Sequence, residues 1–345
     1  MANSGISANL SGRRASWLRR MGKTVRGFYY LDASDSKVTN PDQLDRIKAL
    51  VIPPAWRDVQ INPSAGGKVQ ALGFDLLGRK QYIYHPSFVR RQGRKKFARI
   101  EKFGEFIPNL KRVTSEHLRL EGMPREKVLA VVLRLINSLY FRVGTDLSEK
   151  RYKTYGVTTL QKRHISIGKG GKLEFDFVGK SHIRHRKVLV DSELASVISE
   201  LSSIKRGRKL FRYLDDAGTP RAITPSQINQ YIKEATDIQF TAKDFRTWGG
   251  TIQAAVRLAE FGPCESETQI NKNIVKAVKQ VSEQLGNTPA VCRGSYIHPV
   301  VLDAYRSGVT INDMRPRNSR SIKLLQADLE PEENALLLLF KNAGK

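Results

Sequence analysis

Apolar and polar positions follow two different rhythms along the chain. Between residues 25 and 89 the runs GFYYLDA, KVQALGF and KQYIYH are short and aromatic or β-branched, with Gly, Asn, Pro and Asp between them. That pattern predicts strands joined by turns. Within the same stretch IPPAW, Ile52 to Trp56, excludes an uninterrupted helix, because its paired prolines break one. From about residue 107 the spacing becomes helical. KVLAVVLRLINSLYF, Lys127 to Phe141, predicts a core helix, and Ile274, Val275, Val278, Val281 and Leu285 form one apolar stripe that Gly286 stops. Between these helices YGVTTL, HISIG, KLEFDFVG and RKVLV predict a small antiparallel meander with Gly/Lys-rich turns such as GKGGK.

The elements add up to an α+β chain. A small β-rich N-terminal domain is expected over 25–89, and a larger, mainly α-helical domain with a small antiparallel sheet over 90–345. Residues 1–24 are polar, small and poorly patterned, and read as a disordered basic tail. The 345 residues are enough for two domains, each with its own core. No internal repeat is present.

Charge changes the picture. The chain carries 59 Lys and Arg against 33 Asp and Glu, a formal net charge of +26. Such an excess repels itself unless a polyanion neutralises it, and nucleic acid is the commonest one. Between Arg79 and Arg112 alone there are eleven Lys or Arg and only Glu101 and Glu105 as acids. Part of this stretch, RRQGRKKFARIEKFGE, reads as the entry to a helix facing nucleic acid. Cys264 and Cys292 offer neither a disulfide framework nor a zinc spacing, so a reducing, cytoplasmic and nucleoid-associated setting is expected. The N-terminus lacks the apolar core of a secretory signal, and LLLLF near the C-terminus is far too short to span a membrane.

Conventional hydrolase and metal motifs are absent: there is no G-x-S-x-G, H-E-x-x-H or P-loop. His182 and His185, three apart in a basic hairpin, read as solvated surface, and Asp215 and Asp216 as a turn. What remains is basic and phenolic. Arginine can balance the charge on a pentacoordinate phosphorus without a metal, because its planar fork donates to two oxygens at once. Lysine can supply the proton that a poor alkoxide leaving group needs. A tyrosine phenol, with a reference pKa of about 10, is an accessible nucleophile beside guanidinium groups. Composition alone does not select which of the many candidates do this.

Order along the chain does. FRVG (Phe141 to Gly144), EFDFVGK ending at Lys180, KDFRTWGGT around Arg246, LGNTP (Leu285 to Pro289) and RGSYIHP around Tyr296 resemble the series of type IB DNA topoisomerases. The likeness is to the compact poxviral and bacterial branch. VIPPAW and GRKQYIYHP extend it over most of residues 25–310. The resemblance implies the fold shared by type IB topoisomerases and tyrosine recombinases, and relaxation of supercoiled duplex DNA without cofactor, metal or ATP. It implies that Arg142 and Arg246 hold the scissile phosphate, that Lys180 protonates the leaving 5′-oxygen, and that Tyr296 forms a 3′-phosphotyrosyl link. Lys243 would assist near the phosphate, and Gln81, Tyr82 and Tyr84 would reach the DNA. Where many members have histidine, nine residues before the tyrosine, this chain has Asn287, a neutral donor. The expected partner is duplex DNA, gripped by a monomer acting as a clamp, with no membrane involved. The alternatives are a tyrosine recombinase, disfavoured by Lys243 in the first place of its H-x-x-R box, and a catalytically inactive DNA-binding protein.

Overall fold

A computed structural model describes residues 16–23, 27–205, 207–315 and 329–343. The chain divides into two compact units that meet at Lys96 and Phe97. The break expected after residue 89 therefore falls later, inside a continuous helix.

The N-terminal unit is a five-stranded antiparallel sheet with one helix. Its strands are β1 (Leu18–Lys23), β2 (Gly27–Leu31), β3 (Arg57–Ile61), β4 (Val69–Phe74) and β5 (Lys80–Tyr84), in the order β2-β1-β3-β4-β5. Helix α1 (Pro41–Ala49) starts at Asn40, whose side chain accepts from the Gln43 amide, with Pro41 at the first helical position. The core gathers Leu18, Val38, Ile47, Val59, Ile61 and Ala71.

Strand β1 corrects the tail expected over 1–24. It pairs with β2 from Arg19 opposite Leu31 to Lys23 opposite Gly27, and Leu18, opposite Ile61 of β3, enters the core. Arg20 adds a tertiary anchor: it donates to the carbonyls of Pro53 and Trp56, and its guanidinium lies over the Phe28 ring. Pairing of this kind is invisible in a run as basic as LRRMGK. Residues 1–15 and 24 of the expected tail lie outside the described residues.

The second unit is mainly helical. The basic stretch forms part of one long helix, α2 (Pro86–Leu118), whose C-terminal half buries Ile100, Phe103, Ile107 and Leu110. Helix α3 (Arg125–Leu139) is apolar almost all round, with Val128 to Leu133 all buried, as a central core helix must be. Helices α4 (Asp146–Tyr152), α5 (Ser192–Ser203), α6 (Pro225–Thr236), α7 (Ala242–Phe261), α8 (Glu267–Leu285), α9 (Pro289–Ser295) and α10 (Pro299–Arg306) follow, with a C-terminal helix over Pro331–Ala343. LLLLF lies in that last helix and packs into the core beside Trp248.

The expected meander is present as β6 (Ile165–Ile167), β7 (Lys172–Val178) and β8 (Arg184–Val190), in that order. YGVTTL is not one of its strands. Val157–Thr159 is a 3-10 turn, and the amides of Val157 and Thr158 donate to the carbonyls of Arg142 and Val143 at 2.8 Å each. This run lies against FRVG so closely that a Cβ on Gly156 would come within 2.5 Å of the Arg142 carbonyl oxygen. A two-stranded ribbon of β9 (Arg212–Leu214) and β10 (Pro220–Ala222) flanks the turn read at Asp215, whose carboxylate accepts from the Ala217 and Thr219 amides. On α8 the stripe holds at Ile274, Val278, Val281 and Leu285, whereas Val275 is exposed and Ala277 is buried. The residue after Leu285 is Gly286, in the left-handed conformation (φ 61°) that ends a helix at low cost for glycine.

Candidate active site

The C-terminus of α8 organises the site. The last carbonyls of a helix have no intrahelical partner and carry its negative dipole end. Here three in succession each accept from a different cation. Lys187 Nζ donates to the Gln284 oxygen at 2.9 Å, Arg246 Nη2 to Leu285 at 2.8 Å, and Arg142 Nη2 to Gly286 at 2.7 Å. Arg142 Nη2 also donates to Asn287 Oδ1 at 2.5 Å.

Each cation arrives from its own element. Helix α3 stops at Tyr140, which adopts a left-handed conformation (φ 56°) and turns the chain. Phe141 then enters an aromatic cluster with Phe175 and Phe177 of β7, and Arg142 is aimed at the α8 terminus. Arg246 comes from the first turns of α7. That helix is capped by Thr241 and Asp244 in a reciprocal box, and Asp244 is also held by Arg99 at 2.7 Å. The second terminal nitrogen of Arg246 donates to the Tyr140 carbonyl.

The glycine pair of TWGGT has a steric cause. A Cβ on Gly249 would meet the Tyr140 ring at 1.9 Å, and one on Gly250 would meet the Tyr296 carbonyl oxygen at 2.6 Å. Helix α7 is therefore bare where the Arg142 turn and the tyrosine segment lean on it. Gly249→Ala is expected to cost about 1–3 kcal/mol through overpacking and to slow DNA cleavage as the Tyr140 turn is displaced. Denaturant unfolding and single-turnover cleavage of the same variant check both parts.

Tyr296 ends α9, which starts at Thr288 with Pro289 at its first position. Its ring lies beside Arg246, with the guanidinium carbon 5.3 Å from the ring centroid. The following segment is pinned: the His298 amide donates to Thr251 Oγ1 at 3.1 Å, and buried His298 pairs with Glu101 at 3.1 Å.

Electrostatically the arrangement is one-sided. Neither Arg142 nor Arg246 has a carboxylate partner among the described residues. Burial, and for Arg246 also the nearby Arg142, pulls both guanidiniums down from their ordinary pKa, while Tyr296 acts in the opposite sense. Three donors in the cluster remain buried without an acceptor: Arg142 Nη1, Arg246 Nε and Asn287 Nδ2. Unspent buried donors on unpaired cations favour an anion with several oxygens. Among the described residues no group of three or more His, Cys, Asp or Glu gathers that could hold a metal ion, and no helix is long and apolar enough to cross a membrane.

Lys180 lines the same small pocket as Arg142 and Arg246, together with Tyr155, Phe177 and Gln284. It follows β7 at the hairpin tip, where Ser181 and His182 have positive φ, and it is exposed. Lys243 lies one turn before Arg246 on α7, exposed to solvent. The structure thus gathers Arg142, Lys180, Arg246, Asn287 and Tyr296, with Lys243 at the margin. Gln81, Tyr82 and Tyr84 belong to the N-terminal unit. Tyr82 and Tyr84 stack on one exposed face of β5, with ring centroids 5.9 Å apart, and Tyr84 touches Phe88. Strand alternation turns Gln81 to the other face, where it donates to Asp75 at 2.9 Å.

Comparison with known proteins shows the family. Residues 85–320 match the model of the eukaryotic DNA topoisomerase I catalytic core, and residues 27–75 match that of the bacterial DNA topoisomerase IB N-terminal domain. The chain is 31% identical over 287 residues to DNA topoisomerase 1B of Acanthamoeba polyphaga mimivirus, covering 81% of this chain and 84% of that one. The chain belongs to the type IB DNA topoisomerases. The family relaxes supercoiled duplex DNA by cutting one strand through a 3′-phosphotyrosyl intermediate and resealing it. DNA topoisomerase 1B of vaccinia virus (strain Copenhagen) is 21% identical over 81% of this chain and 90% of its own. DNA topoisomerase 1 of Daucus carota is 26% identical over 74% of this chain but only 31% of its own length.

Two residues of this topoisomerase site escaped sequence reasoning. His185 is not solvated surface: it is half-buried in the pocket beside Phe177 (ring centroids 5.3 Å), against Gly179 and Gly286. Its alternation partner Lys187 caps α8. The alternating burial of β8 was the only signal for either, and a run as basic as RHRKV masks it. Burial first, then Arg142, Lys187 and Arg246, push His185 down to about 4 from 6.5. The folded topoisomerase keeps this ring neutral where the unfolded chain takes up a proton. Stability is therefore expected to fall as pH drops from about 6.5 towards 4. The fall should be shallower in His185→Asn, read as denaturation midpoints across that range.

Proposed function

We propose that Tyr296 is the nucleophile of this topoisomerase, and that Arg142, Arg246 and Asn287 together bind the scissile phosphate. The observation that carries the reading is the set of three unspent donors around two guanidiniums that lack a carboxylate. A phosphodiester supplies the missing anion, and its non-bridging oxygens gain charge density as phosphorus becomes pentacoordinate. Tyr296 Oη forms a bond to phosphorus and releases its proton to solvent. The bond to the 5′-oxygen breaks, and Lys180 supplies the proton that oxygen takes up. Resealing runs the same steps backwards, so the energy of the broken bond is kept in the phosphotyrosine and ATP is not consumed.

Asn287 donates through Nδ2 and stays neutral, so its share of transition-state stabilisation is smaller than a cationic histidine would give. Lys243 and the exposed Tyr82 and Tyr84 contact DNA outside the reacting phosphate, while Gln81, on the other face of β5, holds Asp75. A monomer clamps duplex DNA, drawn by the net charge of +26, and works in the nucleoid of a bacterial cytoplasm.

The test is relaxation of supercoiled plasmid in EDTA without ATP, with the covalent adduct trapped by detergent and mapped by mass spectrometry. Relaxation with a 3′-linked adduct on Tyr296 supports the assignment. An adduct on another residue, or binding with neither relaxation nor adduct, refutes it.

A further inference from the structure

The inner face of β8 has no part in the chemistry above, yet it touches the phosphate-binding platform more closely than Lys180 does. Lys187 is half-buried and donates to the Gln284 carbonyl at 2.9 Å. Its carbonyl belongs to the same terminal turn of α8 that orients Arg246 and Arg142. Two residues nearer the hairpin tip, His185 is lodged so tightly that a Cβ on Gly179 or Gly286 would come within 2.6 Å of its ring. Gly179 directly precedes Lys180, and Gly286 directly precedes Asn287. The Tyr155 amide holds the Val178 carbonyl at 2.8 Å where β7 ends, but the Lys180 side chain beyond it makes no hydrogen bond among the described residues and is exposed. β7 and β8 are paired from Lys172 opposite Val190 to Val178 opposite Arg184, so the two strands move together. Whatever fixes β8 on α8 also fixes Lys180.

We propose that Lys187 is a positioning residue for cleavage and resealing: by capping α8 it docks the β7–β8 hairpin on the arginine platform and so holds Lys180 at the leaving 5′-oxygen. The inference rests on Lys180 being the proton donor. A helix C-terminus favours a cation, and a buried charge-assisted bond is strong enough to select one hairpin position. Misplacing a reacting group by about 1 Å costs about 100-fold in rate.

The test compares two substrates in the full-length enzyme. One carries the natural 5′-oxygen at the scissile bond, the other a bridging 5′-sulfur, whose thiolate leaves without a proton. Lys187→Met is expected to cleave the oxygen substrate about 10- to 100-fold more slowly than wild type. The sulfur substrate should be cleaved at close to the wild-type rate, and Lys187→Arg should retain most activity on both. The two rates are read on one preparation, so any unfolded fraction cancels from their ratio. Lys180→Met is the control, and the sulfur substrate must rescue it. If it is not rescued, the role of Lys180 fails and the inference with it. If Lys180→Met is rescued while Lys187→Met is slow on both substrates, Lys187 is only a helix cap. That outcome overturns the inference alone, as does a Lys187→Met enzyme that is not slowed.

Discussion

Tyr296→Phe is expected to lose covalent capture of DNA entirely and to reduce relaxation by at least about 10⁴-fold, the scale on which a nucleophile's removal acts. The ring lies beside the Arg246 guanidinium, and the carbonyl and Cβ of residue 296 lie against Gly250, contacts that phenylalanine keeps. Phenylalanine does lose the hydroxyl's hydrogen bond with the Arg246 side chain, a bond to a charged group worth about 1.5–3 kcal/mol, so the thermal midpoint should fall modestly. DNA binding should survive, because the phosphate-binding donors belong to Arg142, Arg246 and Asn287. Filter binding on the variant, beside detergent trapping of the adduct, separates these effects. A Tyr296→Phe protein that still relaxes plasmid would remove the tyrosine from the mechanism.

Arg246→Ala is expected to act on chemistry and stability together. Its guanidinium is the most buried cation of the site, bonded to the Leu285 and Tyr140 carbonyls with Nε left for substrate. Loss of one preorganised donor to a developing oxyanion slows reaction by about 10²–10³-fold, and loss of a full transition-state arginine by up to about 10⁵-fold. Two buried carbonyls would also lose their donor, at roughly 1–3 kcal/mol each if no water replaces it. Arg246→Lys should recover some stability but little activity, because one ammonium cannot reach both carbonyls and the phosphate as the planar fork does. Single-turnover cleavage and denaturant unfolding of both variants check this. A lysine variant with near-normal cleavage would show that charge alone is enough.

Much of the fold was legible because its signals are local. Helix α3, the α8 stripe and the β6–β8 meander each follow from periodicity and from the turn residues beside them. The misreadings have tertiary causes. LRRMGK becomes a strand only because β2 and β3 lie on either side of it. YGVTTL has the composition of a strand, yet its amides are used by FRVG and its own 3-10 turn. His185 looks like surface until β8 is laid against α8.

The sequence by itself determined the class of the protein, the sign and size of its charge, and which residue types stand in which order. The resemblance of its motif series to the type IB topoisomerases singled out Arg142, Lys180, Arg246, Asn287 and Tyr296. Only the tertiary structure decided how three cations are held on one turn of α8, and why α7 has two glycines in succession. The physical reason is that the organising groups are main-chain carbonyls, and every residue carries one. Which of them are left unpaired depends on where a helix ends, and which cation meets them depends on what packs across that end.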